Sequence, residues 1–224
     1  MSDGIRLAGV AGVLSIVLGI VGLPVDQMWT FPMSGATAGE IAAFAAANRT
    51  ELLVAMVLNT TAVGLWLVFG AGVWLRMREV AGGESILPVC FLFGLVSFVT
   101  LLLAGFSVLL LLAYRAPEAS DSRLLYDLCF ALLAMSGIPT ALALGSYAAL
   151  VLRTDSLPPW TAALATVAAL AHLLLLASLV IRNGFFSLEG GVTIAIPGTL
   201  FAWIAGTGVA MVGTSRSVRG QSTI

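Results

Sequence analysis

Charge is scarce in this sequence, and one kind is missing. Lysine is absent, and charged residues together make up 9% of the 224 positions. A soluble domain carries about 25%, so the ionic surface that would keep such a chain in water is lacking. The formal net charge is −1, which gives no basic footprint for nucleic acid. Histidine occurs once and cysteine twice. That is too few for a usual zinc site, which needs four protein ligands or three plus water, and one histidine cannot supply the paired axial ligands of a b-type haem. No cofactor or metal is expected. Neither a GxSxG nor a GKS/GKT motif occurs, so no catalytic residue is assigned. Carboxylates avoid the centres of the apolar runs, with Glu51 and Asp127 falling near their ends, which argues against a proton-coupled pump.

What is abundant is apolar residues, at 60%. They gather into six blocks, each at or above the ~18–20 residues that cross a ~30 Å hydrocarbon layer as helix. The blocks are 4–23, 51–75, 88–114, 124–152, 159–181 and 191–212. They are too long and too uniformly apolar for barrel strands of ~10 alternating residues, and a helix satisfies its own backbone in lipid. The expected fold is all-α, a single polytopic transmembrane bundle over residues 1–215. No small-x-small cleavage site follows the first block, so it is read as a retained helix. Arg6, Arg76, Arg78, Arg153, Arg216 and Arg219 fall on the side of the N-terminus, against Arg49, Arg115, Arg123 and Arg182 on the other. That excess puts both termini in the cytoplasm, as expected for a bacterial plasma membrane protein.

Between the first two spans, Thr37 and Glu40 have the spacing of a capping box. Ile41, Ala42, Phe44 and Ala45 then share one face of a short helix over 37–48. Two readings fit it: a helix resting in the outer interface beside Trp29 and Phe31, or a lid over the mouth of the bundle. Gly82-Gly83 and Asn183-Gly184 mark turns. Pro158-Pro159 opens the fifth span, followed by Trp160 at the interface. Cys90 and Cys129 belong to opposite ends of the bundle, too far apart for a disulfide. The polar residues 216–224 read as a flexible cytoplasmic tail.

Small residues recur at helical spacing: Ala8, Gly12, Ser15, Gly19 and Gly22 in the first span; Ala134, Gly137, Ala141, Gly145 and Ala148 in the fourth; Gly198, Ala202, Gly206 and Ala210 in the sixth. In lipid such faces let backbones approach closely. His172, the single histidine, shares a face with Ala165, Ala168 and Ala169 and should point inward. Polar residues at similar depth are Asn59, Thr60 and Thr61 on the second span and Ser136 and Thr140 on the fourth. Pro139 interrupts the fourth span, and Pro197 can do the same in the sixth. His172 is either a polar pin bonded across helices or part of a ligand or proton site.

The stretches SGATAGEIAAFAAANRTELL, LRMRE, RTDSLPPW and NGFFSLEGG together resemble those of an actinobacterial family of six-span integral membrane proteins whose shared domain has no assigned function. The resemblance would cover nearly the whole chain, and it implies a fold without supplying site residues. Two functions lead, with an intramembrane enzyme as a third. One is a non-enzymatic membrane protein that acts through helix contacts, with itself or with a membrane partner, in the lipid bilayer. The other is a small-molecule transporter or permease-like protein with Asn59, Thr60, Ser136, Pro139, Thr140 and His172 near a site in the outer half of the bundle.

Overall fold

The computed structural model describes residues 2–26, 30–33, 35–115, 119–154 and 156–220. Trp29, expected as an interfacial anchor, lies outside them. Among the described residues there are eight α-helices and no strand. They are α1 (Ser2–Asp26), α2 (Ala38–Ala47), α3 (Arg49–Ala81), α4 (Leu87–Arg115), α5 (Ala119–Met135), α6 (Gly137–Thr154), α7 (Pro159–Leu174) and α8 (Gly191–Gly220). A 3-10 helix, Leu175–Leu179, continues α7. Six segments are long and apolar enough to cross a membrane, with α5 and α6 together making one of them. The fold is an all-α bundle whose six spans are those of the sequence pattern, and they are consistent with a multi-pass integral membrane protein in contact with lipid.

The spans run alternately up and down, and each packs on the next: α1 on α3, α3 on α4, α4 on α5 and α6, α6 on α7, and α7 on α8. The last then closes on the first, α8 against α1, so the bundle is a ring with a centre to be filled. Closure depends on small residues. A β-carbon added to Gly9 would lie 2.7 Å from the carbonyl oxygen of Gly208, and one added to Gly208 would lie 2.8 Å from that of Gly9. The first-span stripe, Ala8, Gly12, Ser15, Gly19 and Gly22, is buried too, mainly against α3, where Ala8 meets Gly72, Gly12 meets Phe69 and Gly22 meets Asn59. The other two stripes are spent only in part, for Gly145, Gly198 and Ala202 stay exposed.

The half of the ring nearer the chain termini is filled by aromatics. Trp203 packs edge-on against Phe69 at 5.4 Å and Tyr147 at 5.2 Å between ring centres. The Tyr147 hydroxyl donates to Thr161 Oγ1 at 2.8 Å, with Thr207 Oγ1 at 3.5 Å, which ties α6, α7 and α8 together.

The opposite end carries α2. Its capping box is formed: Thr37 Oγ1 accepts from the Glu40 amide at 3.2 Å, and the Glu40 carboxylate accepts from the Thr37 amide at 2.6 Å. Those backbone and hydroxyl donors hold the Glu40 carboxyl below its ordinary range. Ile41 is 0% exposed, and with Ala45 it packs among Met56, Leu109, Tyr126 and Phe130. The apolar face of α2 is therefore spent on the bundle, and the residues left outward are Gly39, Glu40, Ala43, Ala46 and Ala47. No large apolar side chain of α2 is fully exposed. We call this the lid end.

Two departures from regular helix occur at the lid end. The fourth span breaks at Ser136, three residues before Pro139, which has no amide for the carbonyl of Met135. The fifth tightens into 3-10 geometry directly after Leu174. The sixth contains Pro197 but runs unbroken, so the interruption expected there does not occur. Turn glycines adopt left-handed backbone where the sequence placed turns, at Gly82 (φ 72°) and Gly184 (φ 83°). Both cysteines are free. Helix α8 reaches Gly220, into the segment read as a flexible tail, and its last four residues lie outside the described ones.

Candidate functional site

At the lid end the middle of the ring is not filled. A cavity of about 390 Å³ lies there, walled by α1, α3, α4, α5, the 3-10 segment and α8. Its wall is largely aliphatic and aromatic, with Met56, Trp66, Phe106, Phe130 and Phe201 contributing. Trp66 stacks on Phe98 at 5.7 Å and marks the boundary with the packed half.

Four polar residues reach this wall: Asn59, Ser136, His172 and Thr193. Three belong to the cluster expected from sequence, so Asn59, Ser136 and His172 do converge. The others do not join them. Thr60 is exposed on another face of α3, as is Thr61, whose hydroxyl bonds back to the carbonyl of Val57 at 2.8 Å. Thr140 is buried but borders a separate void of about 20 Å³ next to Phe91 and Leu95. Pro139 does not line the cavity, and its carbonyl lies against Gly94 of α4. Thr193 was missed. The Leu188–Thr193 turn that positions it, Thr193 Oγ1 donating to the carbonyl of Leu188 at 2.8 Å, has no signature in composition or periodicity.

His172 is 2% exposed. Its Nδ1 lies 2.8 Å from the carbonyl oxygen of Ala168 on its own helix. A carbonyl can only accept, so Nδ1 carries the proton. Nε2 has no protein partner among the described residues. The expectation of a polar pin bonded across helices is therefore not met, because the ring's one bond runs back along α7. Ser136 and Thr140 behave alike, donating to the carbonyls of Leu133 at 2.6 Å and Ser136 at 2.8 Å within their own segment. What fixes His172 instead is backbone packing: Gly137 of α6 sits so close that a β-carbon there would collide with the His172 carbonyl oxygen.

The cavity is roofed by the residues before α2. Phe31 lines it and packs edge-on against Phe44 at 5.4 Å and Phe130 at 6.0 Å. The roof is tied to α5. The Tyr126 hydroxyl donates to the carbonyl of Pro32 at 2.7 Å, and Arg123 Nη1 donates to that of Ala36 at 2.7 Å. Arg123 also pairs with Asp127 at 2.9 Å and reaches Glu189, in the loop before α8, at 4.0 Å. Glu189 is 3% exposed, and its Oε2 and Asp127 Oδ1 are buried with no donor between them. Burial, and the hydrogen bond to Asp127 that a protonated Glu189 would make, push the Glu189 carboxyl above its ordinary range, with Arg123 opposing. One clamp therefore holds both the lid and the loop that leads into α8. Sequence reading missed it, although Arg123 and Asp127 stand at the i, i+4 spacing of a helical ion pair.

Among the described residues no group of three or more histidine, cysteine or acidic side chains could hold a metal. No family model, curated protein or solved structure matches this chain.

Proposed function

We propose that the protein holds a small, mainly apolar molecule inside the membrane, as a carrier or permease-like protein, with the lid-end cavity as its site. The observation that supports this reading is the size and apolar lining of the cavity. Apolar space left unfilled costs packing energy that grows with its volume, and this cavity, at about 390 Å³, is large. Water is a poor occupant, because an apolar void stays dry unless it offers each water two to four polar partners. An apolar guest removes the cost.

The alternative, action through helix contacts alone, has less support. It requires a free face of small residues; the first-span stripe is buried, mainly against α3, and of the other two only Gly145, Gly198 and Ala202 stay exposed. The arginine excess supports cytoplasmic termini, with the lid facing away from the cytoplasm. The test is direct. Protein purified in detergent is extracted with organic solvent, and the extract is analysed by mass spectrometry beside that of Ala62→Phe, which places a ring at a buried wall position. A species stoichiometric with the wild type and depleted in the folded variant is expected. Wild-type protein that carries only detergent and bulk lipid, and whose unfolding temperature is unmoved by apolar probes, would refute the proposal.

A further inference from the structure

The reading of the cavity as a ligand site carries a chemical consequence, and the inference here rests on that reading. Three of the polar groups at the wall, His172, Ser136 and Thr193, present acceptors. With Nδ1–H spent on Ala168, a neutral His172 offers the lone pair of Nε2. The alternative, an imidazolium, would bury a cation among apolar helices with no counter-ion on the wall. Ser136 gives its hydroxyl hydrogen to Leu133 and Thr193 gives its own to Leu188, so each keeps only oxygen lone pairs. Pro197, also on the wall, has no amide for the carbonyl of Thr193. Of the donors near the wall, the Trp66 indole N–H is buried without a hydrogen-bond partner, and Asn59 makes a contact within the protein.

Charge is excluded by the same wall. Among the described residues that line it there is no arginine, aspartate or glutamate. A carboxylate or phosphate head would be buried without a cation, and an ammonium without an anion, either of which is expensive in an apolar site. Size sets the remaining limit. A cavity of 150 Å³ accommodates benzene, and this one, at about 390 Å³, holds on that scale a body of about fifteen non-hydrogen atoms.

We infer that the ligand is a neutral apolar molecule headed by a hydroxyl, an alcohol or phenol, that donates its hydrogen bond to Nε2 of His172. A ligand with only acceptors at its head, such as an ether or ester, leaves that nitrogen unmatched, and an acid must first lose its charge.

Three probes of nearly equal length separate these cases: 11-bromoundecan-1-ol, its methyl ether, and 11-bromoundecanoate. Bromine quenches tryptophan on contact, and Trp66 is on the wall. Quenching is titrated in lipid nanodiscs at known membrane concentrations of probe, with Trp66→Phe as the background. The alcohol should half-saturate at about tenfold lower membrane concentration than the ether, the typical effect of one hydrogen bond to an otherwise unmatched buried group. The carboxylate should bind more weakly than either at neutral pH. In His172→Leu the alcohol and ether should bind within about twofold of each other. The comparison of probes on the wild type needs no variant, so it stands even if His172→Leu does not fold. Equal binding of alcohol and ether, tightest binding of the carboxylate, or a preference that survives in folded His172→Leu would overturn the hydroxyl assignment and leave the cavity reading standing. No Trp66-dependent quenching by any of the three would remove the cavity reading itself.

Discussion

Closure of the ring by α1 and α8 gives the sharpest test of the fold. Gly9→Ala sets a methyl carbon 2.7 Å from the Gly208 carbonyl oxygen, about 0.7 Å inside the 3.4 Å where ordinary contact begins. Both partners are backbone in mid-helix, so neither can rotate away and the helices must part. Overpacking of this kind costs about 1–3 kcal/mol, from about fivefold to over a hundredfold in the folding equilibrium. Gly208→Ala meets the reciprocal contact at 2.8 Å and should cost a similar amount. Once one methyl has pushed the helices apart, the second finds room, so the double variant should be less destabilised than the sum by at least about 0.5 kcal/mol. Gly64→Ala, on α3 with open space around its would-be β-carbon, is the control and should be neutral or better. Unfolding in mixed micelles with increasing SDS, followed by circular dichroism, reads all four. Gly9→Ala as stable as Gly64→Ala, or strict additivity of the pair, would refute the reciprocal contact and with it the closed ring.

Other consequences are local. Thr37→Ala removes the N-cap of α2 and should destabilise that helix by about 1 kcal/mol, raising amide exchange over 38–47 while leaving the spans unchanged. Arg123→Gln removes one of the two bonds that tie the roof to α5, and exchange across 35–47 should rise about tenfold with no change in α6 or α7. Glu189, whose carboxyl is raised by burial beside Asp127, binds its proton more tightly folded than unfolded. Its contribution is therefore complete below the ordinary glutamate range and lost as pH rises through the raised value. Glu189→Gln should flatten that fall in a thermal-unfolding series across pH, and an unchanged slope would show that another group causes it.

The spans were legible because lipid demands long apolar helices and little else. The lid was half legible. The Thr37–Glu40 spacing fixes where α2 starts, but whether Ile41 and Ala45 face lipid or protein depends on where α5 passes, which no local pattern encodes. The site was legible for Asn59, Ser136 and His172, because polar residues inside apolar runs are conspicuous. It failed for Thr60 and Thr140 because similar depth in the membrane does not fix the direction around a helix. The expected cross-helix bonds failed for a different reason: serine, threonine and this histidine bond to carbonyls within their own segments, a partner always within reach. One cross-helix polar contact among the described residues, Tyr147 with Thr161 and Thr207, involves residues that the sequence reading did not single out.

The break at Ser136, the tightening after His172 and the proline in α8 can be considered together. They lie on three different spans, yet Ser136, His172, Leu175 and Pro197 all line one cavity, and the other half of the ring has none of these features. Each costs regular hydrogen bonding in a medium that supplies no water to replace it, so irregular backbone at membrane depth persists only where it is buried in protein or borders a cavity. Chance placement would scatter such costs along the spans. Their gathering at a single level, under a roof clamped by Arg123, fits a bundle in which regular packing is given up where a guest sits and kept where the ring only has to close.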